Sequence, residues 1–422
     1  MQTRVRDLAL PSVAAVIGGL LLLLAGTPTV AFTDYEVEAE PALMALRAGD
    51  VAEFLSRLPA YGGSLILRIP FILAPGSWSG GDLATYRAAA VPCIVAGAAL
   101  AVFLYGRSRA AGGRRVAAWS VLALCAVNPI TLRALEIGHP EELLGAVLCV
   151  AAALAAGVQR PLLAGLLLGL AMANKPWAVI VVLPVVLMLD RHRWQALWVA
   201  GGVTVTVLAP MLLGGAFNAT LQATDAGEIF QPWQAWWFFG EHGEAVRGLY
   251  AEKPGYRVAP DWVGAISHPV VVLVPALLAL ACWRRVRSAP WHDGLLLLAT
   301  VLLLRGILDT WNISYYEVPF LLALLAWEVH ARRGVPVLTA IATVLVWVSF
   351  EMLPRALVSP DVQSLFFMAW SVPLALGMVW RVYSPQTFRR AFERVGPVVA
   401  PALPTLLGPS SSRPAVPRTA SR

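Results

Sequence analysis

The chain has 422 residues, of which 58% are hydrophobic and only 14% charged. A mean hydropathy of +0.69 excludes an ordinary soluble domain and indicates an integral membrane protein. The net charge of +7 is spread over short loops between apolar runs, which sets nucleic acid aside as a partner.

The four cysteines, Cys93, Cys125, Cys149 and Cys282, lie in or at the ends of apolar runs without paired spacing. Neither a disulfide framework nor a metal site follows from them. Lys175 and Lys253 are the only lysines. With so much Ala, Val and Gly, the preference for arginine points to a GC-rich bacterial genome.

About twelve apolar segments follow one another, near 8–30, 83–106, 116–134, 141–158, 161–174, 176–189, 195–214, 262–282, 293–308, 316–330, 335–353 and 365–383. They predict an all-α protein with residues 1–383 in one polytopic domain and a basic, Pro/Ser-rich tail over 384–422. The first run is too long for a typical signal-peptide core, so a retained first helix is expected. Arginines crowd the short loops at 107–115, 160, 190–193, 284–287 and 332–333. By the positive-inside rule these face the cytoplasm of a bacterial plasma membrane, with both termini. The long loops 31–82 and 215–261 then face outward.

The first outer loop opens on A-F-T-D-Y-E-V-E-A-E (31–40), four carboxylates at the membrane exit. In a helix Asp34 and Glu38 share one face, and Glu36 and Glu40 another. A surface loop or helix cap accounts for such charge, and so does a reaction centre needing a carboxylate base. Farther on, L-I-L-R-I-P-F-I-L (65–73) is too short to span and predicts an interfacial or re-entrant helix. Arg68 within it either snorkels to headgroups or meets a lipid phosphate.

R-A-L-E-I-G-H-P-E-E-L-L (133–144) places Glu141 and Glu142 in the first turn of a helix, where negative charge suits the dipole. That leaves His139 for sugar hydroxyls or proton transfer. Pro161–Leu189 must enter and return between two basic loops, with arms of about 21 Å against a core of about 30 Å. Its turn, N-K-P-W, therefore lies below the surface. Lys175 at that depth needs water, a carboxylate or an anionic ligand.

In the second outer loop, Trp233, Trp236, Trp237, Phe238 and Phe239 suit a membrane aromatic belt or a sugar-stacking surface. Glu241, His242 and Glu244 stand beside them for hydroxyls. Arg305 and Asp309 are spaced to pair on one helical face. Tyr315, Tyr316 and Glu317 open the tenth segment as anchors or as a third polar cluster.

A first outer loop that begins acidic, before many spans with short inner loops, resembles the GT-C membrane glycosyltransferases. The runs A-G-L-L-L-G-L-A-M-A-N-K-P-W (164–177) and G-H-P-E-E-L-L (138–144) resemble the polyprenol-phosphate-mannose-dependent group, glycosyltransferase family 87. The resemblance implies a polyprenyl-phosphate sugar donor, a lipid or glycan acceptor and inversion. It implies Asp34 as base, and the D-Y-E-V-E-A-E pattern leaves Glu36 and Glu38 as alternatives. Chemistry adds Lys175 and Arg68 for the departing phosphate. Sugar and acceptor contacts fall to His139, Glu141, Glu142, Trp236, Trp237, His242, Tyr315 and Tyr316. A divalent cation is chemically compatible with the carboxylates, but no spacing matches a metal motif, so no cofactor is assigned. The rival class is a transporter or lipid flippase, which a buried lysine and short helices also suit.

Overall fold

The structure, a computed structural model, describes residues 2–26, 34–74, 81–214, 229–242, 255–332 and 334–388. The tail beyond 388 and Glu244 lie outside them. Each expected apolar segment is helical or largely so, but only eight helices among the described residues are long and apolar enough to cross a membrane. The remaining four segments form short helices: Pro161–Asn174, Val182–Leu187 after a 3-10 turn, Asp293–Leu308 and Val318–Ala331. Among the described residues, eight of the twelve expected segments thus reach membrane-spanning length.

Proline explains several of the boundaries. Pro129, Pro140, Pro161 and Pro360 each stand at the first helical position, where the missing N–H is no loss. Asn128 caps the helix after it by accepting from the Ile130 N–H, which breaks the third apolar segment in two. Gly138 closes Pro129–Ile137 with φ +110°, a conformation that suits glycine.

The short segments fold as two hairpins. In the first, Pro161–Asn174 rises to Lys175, where the backbone becomes extended, and the chain returns through Pro176–Val181 and Val182–Leu187. Gly165 and Gly169 let the rising arm lie directly on Arg193–Leu213: a methyl group at either would sit 2.5–2.6 Å from the carbonyl oxygens of Ala196 and Ala200. In the second, Asp293–Leu308 rises and Val318–Ala331 returns, both almost entirely buried.

Arms of 14 and 16 residues reach about 21–24 Å. Both tips thus stop short of a bilayer core about 30 Å thick. Between the two hairpins, Pro140–Gly157 packs against their arms. The interfacial helix predicted at 65–73 forms as Gly62–Ile72, and two further short helices, Glu40–Arg47 and Val51–Ser56, precede it in the first long loop. They pack around Leu43, Phe54, Leu58, Leu65 and Tyr86 and cover the end of the bundle where the hairpin tips lie.

Candidate active site

Five chain segments converge on that end. Asp34 precedes a π-helical turn, Tyr35–Ala39. Its carboxylate Oδ2 accepts a hydrogen bond of 2.8 Å from His139 Nε2, and the other ring nitrogen, Nδ1, lies 2.6 Å from Glu141 Oε1. His139 is buried, whereas the Asp34 side chain is 36% exposed, so the carboxylate stands at the rim of the cluster. Burial and the Lys175 ammonium oppose charge on His139. The carboxylates of Glu141 and Asp34 outweigh them and hold its pKa up at about 9. At neutral pH the ring is therefore an imidazolium clamped between two carboxylates.

The approach of Asp34 to His139 depends on Gly138. A methyl group there would lie 2.6 Å from the Tyr35 backbone nitrogen, besides demanding a positive φ. Tyr35 itself is locked edge-on against Tyr86, with ring centroids 4.8 Å apart. Tyr315 completes the rim from the second hairpin: its hydroxyl lies 3.5 Å from Asp34 Oδ2 and its ring tilts over His139 at 4.6 Å.

Below the rim, two fully buried carboxylates gather the cations. Glu141 is met by Lys175 Nζ at 3.1 Å and Arg68 Nη2 at 3.4 Å. Glu142 is met by Lys175 at 3.6 Å, Arg305 Nη2 at 3.7 Å and the Trp177 indole N–H at 3.2 Å. Aromatic faces shield the cations: Lys175 lies 4.0 Å from the centroid of Tyr61, and Arg305 is held between Trp177 and Tyr316 at 4.5 and 4.0 Å. Asn174 ties the tip down, accepting from Ser64 and donating to the Glu141 carbonyl. Buried charges persist only where they are paired and hydrogen-bonded in this way.

Several expected residues meet here: Asp34, Arg68, His139, Glu141, Glu142, Lys175, Tyr315 and Tyr316. Glu38 is exposed, yet one of its oxygens, one from Asp34 and a ring nitrogen of His139 lie within 4.8 Å of one another, a set able to ligate a metal ion. Glu36 is exposed and stands outside that set. Arg68 neither snorkels nor rests on the surface. It is buried, with its guanidinium on the Ser64 and Ala89 carbonyls as well as Glu141.

The second-loop aromatics go elsewhere. Trp237 is wholly buried and donates its indole N–H to Asp361 at 2.8 Å, beside Phe230 and Tyr256. Trp236 donates to the Leu308 carbonyl at 2.7 Å and meets Trp262 edge-on. His242 is exposed on a two-residue strand, Glu241–His242, paired antiparallel with Arg257–Val258. None of the three touches the Asp34 cluster directly.

Sequence reading also expected Arg305 to pair with Asp309. Arg305 instead turns to Glu142, while Asp309 accepts from the Trp311 N–H and faces His268 at 4.0 Å. Pairing on the helix face fails because the helix ends at Leu308 and Asp309 is already extended. Arg305, Tyr61 and Trp177 were missed as parts of the site. Trp177 carried a signal, as it flanks the buried lysine in N-K-P-W. Arg305 carried one as well, an arginine inside the apolar segment 293–308, but it was read as a partner of Asp309; Tyr61 carried none, since only folding brings it to the cluster.

Comparison with known families gives one result. No curated protein and no solved structure matches the chain. The family model described as glycosyltransferase family 87 matches residues 63–308, more than half of the chain and every buried charge of the cluster. With eight membrane-length helices carrying this ionic centre, the chain is a membrane glycosyltransferase and belongs to glycosyltransferase family 87.

Proposed function

We propose that the protein transfers a sugar, mannose by its family resemblance, from a polyprenyl-phosphate donor to a lipid or cell-envelope glycan on the outer face of a bacterial plasma membrane. The observation that carries this reading is the rim carboxylate of Asp34 set over a buried group of cations: Arg68, His139, Lys175 and Arg305. Reaction by single displacement inverts the anomeric carbon. The acceptor hydroxyl oxygen forms its bond to that carbon as the bond to the phosphate oxygen breaks, and the electron pair leaves with the phosphate. The hydroxyl proton passes to Asp34 as attack proceeds.

Division of labour follows from the contacts. His139 occupies Oδ2 of Asp34, so Oδ1 is the oxygen assigned to the acceptor, with Glu141 holding the ring in place. Glu38 is the alternative base at the same rim. Four cations face two buried carboxylates, and Asp34 and Glu38 make up the balance. Once Asp34 has taken a proton, the cluster holds one positive charge in excess, as a departing phosphate requires. Lys175 and Arg305 are the nearest candidates to receive it, each shifting from carboxylate to phosphate oxygens. A phosphate is already a good leaving group, so no general acid is called for.

The direct test is to incubate membranes containing the protein with radiolabelled polyprenyl-phosphate mannose and to follow label into lipid and glycan fractions. Transfer that disappears with Asp34→Asn is expected. Transfer from a nucleotide sugar, with none from any polyprenyl-phosphate donor, would overturn the donor assignment.

A further inference from the structure

The tip of the second hairpin carries a carboxyl group that the ionic centre does not use. Glu317 is wholly buried, and it forms no ion pair among the described residues. It rests on Gly306, where a methyl group would overlap Glu317 Oε1. The neighbouring Arg305 turns away, to Glu142 at 3.7 Å and to the Tyr316 carbonyl at 3.5 Å.

The hydrogen bonding around Glu317 is incomplete in a specific way. Asn312 Nδ2 reaches Glu317 Oε1 at 3.4 Å, while its shorter bond, 2.7 Å, goes to the Trp233 carbonyl. That short bond fixes the amide orientation, because the flipped group would set Oδ1 against a carbonyl oxygen. Two atoms remain. Glu317 Oε2 and Asn312 Oδ1 are buried, and neither has a hydrogen-bond partner among the described residues. In an ionised carboxylate and an amide both atoms are acceptors, so neither can satisfy the other. A buried carboxylate with one long bond and no cation is a costly species, and such a group takes up a proton instead. One proton on Oε2 supplies the donor that Oδ1 lacks.

We propose that Glu317 is a protonated carboxylic acid paired at two points with the Asn312 side chain, Oε2–H to Oδ1 and Nδ2–H to Oε1, and that this pair positions the second hairpin tip for sugar transfer. The pair closes the turn between Asp293–Leu308 and Val318–Ala331 across itself. Within that turn is Tyr315, whose hydroxyl lies 3.5 Å from Asp34. On the other side the pair rests against Gly306, next to Arg305. Trp233 joins through its carbonyl and is itself anchored by its indole N–H on the Ser349 carbonyl. Glu317 is thus a positioning residue. Its neutrality has a use as well, since a carboxylate beside Arg305 would offset the positive excess that a departing phosphate requires. That consequence rests on the proposed transfer, whereas the proton and the pair do not.

Infrared spectroscopy of the purified full chain in detergent reads the proton directly. At neutral pH the wild type should show the carbonyl stretch of a hydrogen-bonded carboxylic acid, shifting in heavy water and missing from Glu317→Gln. A spectrum that Glu317→Gln leaves unchanged in that region would mean an ionised Glu317 and overturn the proposal, whatever the sugar donor. Transfer of radiolabelled sugar then tests the positioning. Glutamine retains both points of the pair, donating to Oδ1 and accepting from Nδ2, and should retain transfer near the wild-type rate. Leucine has similar bulk and no polar atom, so Glu317→Leu should lower transfer by about 10–10²-fold through misplaced contacts. Asn312→Leu should do the same, and the double variant should lose no more than either alone. Glutamine and leucine variants equally impaired, a leucine variant as active as wild type, or losses that multiply in the double variant would each overturn the pairing. The infrared band and the glutamine variant decide the matter even where a leucine variant fails to fold.

Discussion

Two of the polar clusters among the described residues, each mixing acidic, basic and aromatic side chains, behave differently in space. The Trp237–Asp361–Arg257 cluster is a closed clasp: the indole and the guanidinium both end on one carboxylate, and no charge is left over. The Asp34–His139–Glu141 cluster is open. Its cations outnumber its buried carboxylates, Glu142 Oε2 and Arg305 Nε have no hydrogen-bond partner, and its outermost carboxylate faces solvent. A clasp that satisfies itself holds the second loop on the helix Pro360–Tyr383, whereas an ionic centre with rim charge can exchange partners with a substrate. Acidic and aromatic content is therefore a poor guide to a site, and unbalanced burial is a better one.

The largest effect that would break this contrast is on turnover. Asp34→Asn retains shape and hydrogen bonding but accepts no proton, so transfer should fall by about 10²–10⁴ with donor binding little changed. Near-normal transfer in Asp34→Asn, with Glu38→Gln inactive, would move the base along the loop. Wild-type activity in both would make the rim carboxylates a surface feature.

Next is the stability of the ionic centre. Lys175→Gln leaves Glu141 and Glu142 each short of a cation, a loss of about 3–5 kcal/mol for a broken buried pair. Lys175→Arg retains the charge and should recover part of both stability and transfer. Denaturation in detergent separates the two readouts. A glutamine variant as stable as wild type, yet unable to use donor, would mark the lysine as a ligand for phosphate rather than a structural partner.

A pH profile sharpens the same point. Because the folded-state pKa of His139 lies above its unfolded value, its ion pairs contribute fully below the unfolded pKa of about 6.5. That contribution is lost as pH rises through about 9. Transfer should fall over that alkaline window, and His139→Gln should remove the dependence as well as most of the activity. A profile flat to pH 10 in the wild type would show that the imidazolium is not needed. The smallest effect belongs to the clasp: Trp237→Phe removes one hydrogen bond to Asp361, worth about 1 kcal/mol of stability, and should leave transfer unchanged.

Much of the fold was legible because membrane helices announce themselves by length and hydropathy, and proline marks their starts. The segments at 293–308 and 316–330 resisted that reading, since helices of 16 and 14 residues carry the same apolar signal as longer ones, whereas the shortness of Pro161–Leu189 followed from its flanking basic loops. Lys175 was legible as buried from the shortness of its hairpin. Its partners Glu141 and Glu142 were visible only as helix-opening acids, because a dipole explains them equally well until the hairpin is docked beside them. Trp237 misled because an indole shows no preference in sequence between a sugar ring and a carboxylate acceptor. His139 was noticed for lacking a local role, and its role proves to be the contact between Asp34 and Glu141.

The shortness of the first hairpin, whose rising arm is partly exposed, has a consequence for the surrounding lipid. Where arms of about 21–24 Å replace full crossings, the hydrocarbon layer is some 6–9 Å too thick for them, and mismatch costs a fraction of a kcal/mol per ångström. Lipids bordering the exposed face of Pro161–Asn174, where Leu162, Leu163 and Leu166 are exposed, should tilt and thin to meet its short arm, forming a shallow dimple there. Acyl-chain length would then act as a rheostat on the enzyme, with longer and stiffer lipids making the dimple more expensive to sustain.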